Sequence, residues 1–248
     1  MRLFVGSTMR GQWTDDFFDG GFRETFSALG IYDDTDSEVE AIVALLDLPL
    51  GARILDVPCG FGRHAGPLDQ RGYRMVGVDN SPSQLDEARR RYPDCTFVLT
   101  DMRTPPAGPY DAVLNLWTSF GFLDTREDDL VALAAWADVL RPGGKLVMDI
   151  DSLDGFEHRV RTGDEPISHQ LIRRHDLLGS ARFDWADQEL ALHWTRPGWS
   201  RRCRLRMYSI RQLETALREV GFLDIAFSGD LCGGPVDLDR RTIIVATK

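Results

Sequence analysis

Short apolar runs alternate with segments of helical periodicity from about Thr35 to Ile150, the rhythm of a doubly wound α/β sheet. Val39, Ile42, Val43, Leu45 and Leu46 repeat at helical spacing, and Ser37 with Glu40 predicts a capping box ahead of them. Arg53 to Val57 reads as a first strand and Arg74 to Asp79 as a second, each as apolar as a strand covered on both faces requires. Ser81-Pro82-Ser83-Gln84 predicts an N-cap serine, a proline at the first helical position and a glutamine closing the box. That helix runs to about Arg91, where Pro93 stops it. Thr96 to Leu99 and Tyr110 to Leu114 give strands three and four, and a helix from about Thr125 to Leu140 ends at Arg141-Pro142-Gly143-Gly144. Lys145 to Ile150 is strand five. Ser209 with Gln212 opens another capped helix, ended by Gly221, before strands near Leu223 to Phe227 and Thr242 to Ala246.

Two regions break this rhythm. Residues 1–34 set aromatics (Trp13, Phe17, Phe18, Phe22, Phe26, Tyr32) among Asp and Gly and read as an N-terminal helical lid. Residues 152–208 hold three strand-like runs, around His169 to Leu178, Arg182 to Trp194 and Arg202 to Tyr208, and read as an antiparallel flap inserted after strand five. Both are expected over the carboxyl edge of the sheet, where such folds bind their ligands. The expected organisation is one domain over residues 1–248: the lid, a cofactor-binding core over 35–151, the flap, and the C-terminal part of the core over 209–248.

Composition narrows the partners. Against 39 Asp and Glu stand 29 Lys and Arg, a formal charge of -10, which repels phosphate backbones and anionic lipids. The run Arg201-Arg202-Cys203-Arg204-Leu205-Arg206 is the one candidate basic face, and its alternation fits a solvated strand. The cysteines, Cys59, Cys95, Cys203 and Cys232, lack zinc-knuckle spacing, so neither a metal nor a disulfide framework is expected. The first residues lack a signal-peptide core, and no run approaches the ~20 apolar residues of a membrane span. The expectation is a cytoplasmic enzyme, monomer or homodimer, with a small-molecule substrate and without nucleic-acid or membrane partners.

The chemistry concentrates in Ile54-Leu55-Asp56-Val57-Pro58-Cys59-Gly60-Phe61-Gly62, a strand that ends in an acid and turns through two glycines. Glycines there let backbone amides approach a ligand. Asp79, closing the second strand, is placed to accept both hydroxyls of a ribose. Gly60-x-Gly62-x-x-Ala65 also meets the loose dinucleotide fingerprint, which keeps a nicotinamide oxidoreductase open as an alternative. Asp56, four residues ahead of Gly60, repels a pyrophosphate but suits a cationic amino group. Asp101-Met102 offers a carboxylate and a backbone amide to an adenine edge. A nucleoside joined to a zwitterion is the ligand these residues describe, hence S-adenosylmethionine, with S-adenosylhomocysteine as the product.

These motifs, with Gly77-Val78-Asp79-Asn80-Ser81, Asn115-Leu116-Trp117-Thr118-Ser119-Phe120-Gly121 and Leu140-Arg141-Pro142-Gly143-Gly144, resemble the class I S-adenosylmethionine-dependent methyltransferases, over roughly Val39 to Lys248. The chain looks most like their small-molecule branch. The resemblance implies a Rossmann-like seven-stranded sheet, mostly parallel, with the last strand antiparallel between the fifth and sixth. It also implies that Gly60 and Gly62 approach the methionine part, Asp79 and Asn80 the ribose, Asp101 and Met102 the adenine, and Asn115, Leu116 and Trp117 the sulfonium side. Pro58, where the family commonly has alanine, and Pro67, near the start of the next helix, depart from the pattern.

Methyl transfer to an O, N or C atom needs alignment first, and a base only where the accepting atom must lose a proton. His64, Asp149 and Tyr208 are the candidate catalytic groups; capping, a loop turn and bracing of the flap are their plain alternatives. Trp13, Phe18, Tyr32, Thr118 and Arg206 are the candidate substrate contacts, against ordinary packing for the aromatics. The absence of Asn-Pro-Pro-aromatic, with Asn115-Leu116-Trp117-Thr118 in its place, argues against the amino-group and nucleic-acid subclasses. A non-catalytic scaffold that retains the fold is the reading from a different class.

Overall fold

Neighbouring residues on each strand pack into opposite layers of the core, and this alternation organises the molecule. The computed structural model describes residues 17–163, 170–174 and 177–248. In chain order its elements are α1 (Gly20–Ala28), α2 (Thr35–Leu46), β1 (Arg53–Asp56), α3 (Ala65–Gln70), β2 (Arg74–Asp79), α4 (Pro82–Arg91), β3 (Thr96–Leu99), β4 (Tyr110–Asn115), α5 (Arg126–Val139), β5 (Leu140–Ile150) and α6 (Leu153–Thr162). Then follow β6 (Gln170–Arg174), β7 (Leu177–Asp184), β8 (Glu189–Arg196), β9 (Trp199–Arg206), α7 (Ile210–Glu219), β10 (Asp224–Ser228) and β11 (Thr242–Thr247).

Seven strands form one sheet in the order β10-β11-β5-β4-β1-β2-β3. β1 to β5 run parallel, and β11 lies antiparallel between β5 and β10. Leu55, Val113, Leu146 and Ile244 face α5 and α7, packing on Leu133, Trp136, Leu213 and Leu217. Their neighbours Ile54, Ala112, Val147 and Ile243 face the other layer, with Ile42 and Leu46 of α2, Leu68 of α3 and Leu85 of α4. Burying a side chain of this size contributes about 1.5–3 kcal/mol, which makes these two layers the main source of stability. Because Asp56 pairs in register with Gly77 and Leu114, the carboxyl ends of β1, β2 and β4 finish together at one edge.

The expected doubly wound sheet is present, with five corrections of detail. Ser37 does not cap α2: the helix starts at Thr35 behind Asp34, and the Ser37 hydroxyl donates back to the Asp34 carbonyl at 2.8 Å. Ser81 does cap α4, but the Gln84 amide donates to the Phe18 carbonyl instead of closing the box. Arg141–Gly144 belongs to β5 as an irregularity, the ladder with β4 shifting register between Tyr110 and Ala112. The flap opens with a helix, α6, capped by Ser152, and the run from Arg182 to Trp194 is two strands of a hairpin, not one. Its sheet has four strands, β6-β7-β8-β9. Pro67 sits in the first turn of α3, where a missing N–H costs nothing. The Ser209–Gln212 capping box has both of its hydrogen bonds. Among the described residues no helix is long and apolar enough to cross a membrane.

The flap is fastened to the core through one buried acid. Asp129 of α5 is closed to solvent, and its Oδ2 accepts from the Tyr208 hydroxyl and from Arg206 Nη1, each at 2.7 Å. Asp129→Ala leaves the Arg206 guanidinium without its buried partner and is expected to cost about 3–5 kcal/mol in urea unfolding. Arg218→Ala, which breaks an exposed pair with Glu214, is expected to cost under about 0.5 kcal/mol in the same assay.

Candidate cofactor and acceptor site

Asp79 ends β2 with its carboxylate turned onto backbone amides. Oδ2 accepts the Gly60 N–H and Oδ1 the Ser81 N–H, each at 2.8 Å. Gly60 is left-handed (φ 53°), and a Cβ placed on it meets nothing within 4 Å, so this face of the turn is open. Gly62 differs. A Cβ there would stand 2.9 Å from the Phe97 ring, so its role is close packing of the turn against β3 and not approach to a ligand.

A cavity of about 380 Å³ opens over this turn. On the core side it is lined by Gly60, Asp79, Asn80, Met102, Leu116 and Trp117, all expected cofactor contacts. His64, Phe18, Tyr32 and Thr118, from the expected catalytic and substrate groups, line it too. Trp13 lies outside the described residues.

Other expected residues stand back from it. Asp56 is buried beneath the turn; desolvation, reinforced by the charge of Asp79, pushes its carboxyl up to about 8, and its Oδ2 has no hydrogen-bond partner. Asn115 is fully buried and donates to the Val57 carbonyl at 2.7 Å, tying β4 to the chain after β1. Asp101 is gripped by Arg103, whose Nη2 lies 2.7 Å from Oδ2, so its carboxylate faces that guanidinium and not the cavity. Tyr208 and Arg206, expected at the acceptor, are instead consumed by Asp129 and packed against Phe120 and α5, a correction whose cause is that shared buried acid. Asp149 is corrected as well: it faces a second, open cavity of about 540 Å³ on the β11 side, where Arg241 Nε lies 3.1 Å from Oδ1. Desolvation raises its pKa.

The chain after β4 turns through two consecutive left-handed residues, Trp117 (φ 60°) and Thr118 (φ 53°). Such backbone costs of order 1–3 kcal/mol per residue and persists only where the surroundings hold it. Here the Thr118 N–H donates to the Asp149 carbonyl at 2.7 Å and the Thr118 hydroxyl accepts the Asp151 N–H at 2.8 Å. The guanidiniums of Arg63 and Arg241 lie over the Trp117 ring, 4.4 and 4.5 Å from its centroid.

Glu38 of α2 joins these parts and was missed in the sequence. Its carboxylate takes Arg63, the His64 Nε2 at 3.1 Å and the Trp117 Nε1 at 3.2 Å, with Arg241 at 3.8 Å. Burial works against its charge, but the hydrogen bond from His64 and the charge of Arg63 prevail and hold the carboxyl at about 2. Desolvation takes His64 down to about 4, so the ring is neutral at pH 7. Glu38 had a signal of its own: it sits one turn before Ile42 on an apolar helix stripe, where an acid demands a partner. Arg63 Nη2 remains buried without a hydrogen bond. An unpartnered cationic donor and an unpartnered carboxyl oxygen therefore flank the glycine turn, and an amino-acid zwitterion complements both. Asp79 beside an open Gly60 complements a ribose. The residues present fit S-adenosylmethionine. Among the described residues no cluster of His, Cys, Asp and Glu is placed to hold a metal.

Residues 54–144 match a family model described as a methyltransferase domain. The chain is 35% identical over 102 residues to a dTDP-3-amino-3,4,6-trideoxy-alpha-D-glucopyranose N,N-dimethyltransferase of Streptomyces venezuelae, covering 41% of this chain and 43% of that protein. It is 28% identical over 235 residues to a glycine/sarcosine N-methyltransferase of Halorhodospira halochloris, covering 88% and 83%. The chain spans about half the length of several curated relatives it matches, 43, 55 and 61% of three of them. The fold is similar to a crystal structure of an S-adenosylmethionine-dependent methyltransferase from Clostridium acetobutylicum ATCC 824, with TM-score 0.72, 16% identity and coverage of 92% and 97%.

The buried Asp56 makes a testable mark on stability. Its folded pKa lies above the unfolded value, so its contribution is complete below about pH 4 and is lost as pH rises through about 8. His64 acts oppositely, and only between about 4 and 6.5. Between pH 6.5 and 8.5, ligand-free protein is therefore expected to lose about 1–2 kcal/mol through Asp56, and Asp56→Asn to remove most of that loss. Thermal melts of both proteins across this window check it, at about 2–4 °C per kcal/mol.

Proposed function

We propose that this chain, which belongs to the class I S-adenosylmethionine-dependent methyltransferase family, transfers a methyl group from that cofactor to an O, N or C atom of a small molecule. The observation that carries the reading is Asp79, whose two oxygens pin the Gly60 and Ser81 amides at the rim of an open cavity. Residues 1–248 act as one catalytic unit, in the cytoplasm, as monomer or homodimer, and the charge of -10 disfavours nucleic acid and anionic membranes as partners.

Each side chain has a part. Asp79 accepts the ribose hydroxyls, and Asn80 stands beside it on the rim. The open face of Gly60 admits the ligand close to the backbone. Arg63 Nη2, on the cavity wall, takes the carboxylate, and the ammonium group lies over the turn above buried Asp56, whose proton a nearby cation draws off by favouring the charged carboxylate. Met102 and Leu116 flank the base.

When bound, S-adenosylmethionine would supply an electrophilic methyl carbon to the acceptor's lone pair, with the sulfur as leaving group keeping the electron pair. The protein's task is alignment in a site that excludes water, where effective molarities of ~10⁵–10⁸ M are attainable. Trp117 and Thr118, locked by Asp149, fix the wall beside the reacting atoms. His64 is neutral and lines the cavity, and its Nε2 hydrogen goes to ionised Glu38, leaving Nδ1 to take a proton from an acceptor that must lose one.

Titration calorimetry tests the reading. Wild type is expected to bind S-adenosylhomocysteine, and Asp79→Ala to weaken that binding at least 100-fold, about 2.7 kcal/mol. Circular dichroism confirms that the variant is folded. In thermal shift, S-adenosylhomocysteine is expected to raise the melting temperature and NADH to leave it unchanged. Stabilisation by NADH alone would instead favour the oxidoreductase reading.

A further inference from the structure

We propose that the methyl acceptor is a flat, apolar molecule with an aromatic body and a single nucleophilic polar atom, seated between α1 and the flap strands β8 and β9. The inference rests on the methyltransferase reading above and names the substrate class of that site.

The acceptor half of the cavity is built from carbon. Phe22 and Phe26 of α1 stack at 4.1 Å between centroids, Phe26 meets Trp194 of β8 edge-on at 5.9 Å, and Phe18 meets Phe122 at 5.7 Å. Leu192 and Cys203 of β8 and β9 complete the opposite wall. Desolvation raises the Cys203 thiol pKa, so the sulfur is an uncharged apolar lining atom at neutral pH. Offset and edge-on ring arrangements of this kind favour an aromatic guest by about 0.5–1.5 kcal/mol per pair beyond area burial.

Charge excludes the polar alternatives. Among the described residues lining the cavity, Arg63 is the one cation, and Glu38 and the cofactor end claim it. A sugar nucleotide brings a diphosphate and glycine brings a carboxylate, and among the described lining residues either would lie against rings with no further cation to replace its water, at a cost of several kcal/mol. Polar groups of the acceptor half gather at one end, where the Thr118 hydroxyl and Asp151 meet and Arg159 pairs with Asp151 at 2.5 Å. One hydroxyl or amine fits that end, and the apolar body fills the rest. Two of the curated relatives are named for an amino-sugar nucleotide and for glycine and sarcosine, and the acceptor proposed for this chain differs from both.

The test uses full-length protein loaded with S-adenosylhomocysteine and three probes, 2-naphthol, dTDP and glycine, titrated by calorimetry. 2-Naphthol is expected to bind, with a negative heat-capacity change, and dTDP and glycine not to bind. Leu192→Asp, which sets a carboxylate in the apolar wall, is expected to weaken 2-naphthol at least tenfold while S-adenosylhomocysteine binds within threefold of wild type. Trp194→Ala replaces it if that protein does not fold, with the same expectation. Failure of 2-naphthol to bind the loaded protein, equal binding to the variant, or binding of dTDP or glycine in its place overturns the inference. A separate titration of the unloaded protein with S-adenosylhomocysteine reads the underlying assignment. No binding there defeats the cofactor reading and this inference with it, whereas binding there with no 2-naphthol binding defeats the inference alone.

Discussion

The Asp79 carboxylate is the constraint on which the site is built. By accepting the Gly60 amide on one oxygen and the Ser81 amide on the other, it joins the end of β2 to the turn after β1 and to the cap of α4. Hydrogen bonds to a charged acceptor contribute about 1.5–3 kcal/mol each, enough to hold a left-handed turn that no side chain braces from the open side. With the turn fixed, Gly62 lies on Phe97 and α3 can begin at Ala65. Replacing this acid with any residue that cannot accept twice would free both amides and let the rim drift.

A second acid extends the same logic outward. Glu38 is three-quarters or more withdrawn from water, at 16% side-chain exposure, yet ionised, because Arg63, His64, Trp117 and Arg241 all meet it. Through it α2 becomes part of the site wall and does more than cover the sheet. The Trp117 ring is held by its own Nε1 hydrogen bond and by the guanidiniums of Arg63 and Arg241 lying over it, a contact of about 0.5–2 kcal/mol per cation. That clamp explains how two consecutive left-handed residues survive at the end of β4.

The parts legible in the sequence were those set by local rules. β2 and β3 were placed to the residue because their apolar runs end at polar residues, and the capping box at Ser209 because both partners lie within one turn. The Ser37 cap failed because the helix already begins at Thr35, behind an Asp34 whose side chain makes no cap hydrogen bond, and the Gln84 box because a carbonyl 66 residues away takes its amide. α6 fell outside the three strand-like runs read in residues 152–208. In the site, Gly60 and Asp79 meet at the cavity rim, a juxtaposition local motifs announce, whereas Tyr208 and Arg206 pair with Asp129 and Asp149 with Arg241, partners remote in sequence. No periodicity encodes such pairings.

The distribution of buried charge then orients whatever enters. Below the glycine turn stand an acid without a hydrogen-bond partner on one oxygen and a guanidinium nitrogen in the same condition. Around α1 and the flap stand rings and aliphatic chains. Leaving buried polar atoms unmatched costs about 1–3 kcal/mol each, and so does pressing a charged guest against the apolar wall. A ligand with a zwitterionic end therefore has one favourable orientation, charged end to the turn, and an apolar guest has the other half to itself. The two halves meet at Trp117 and Thr118, the segment whose backbone is most constrained, so the boundary between the polar and apolar compartments is also the place where two ligands would touch.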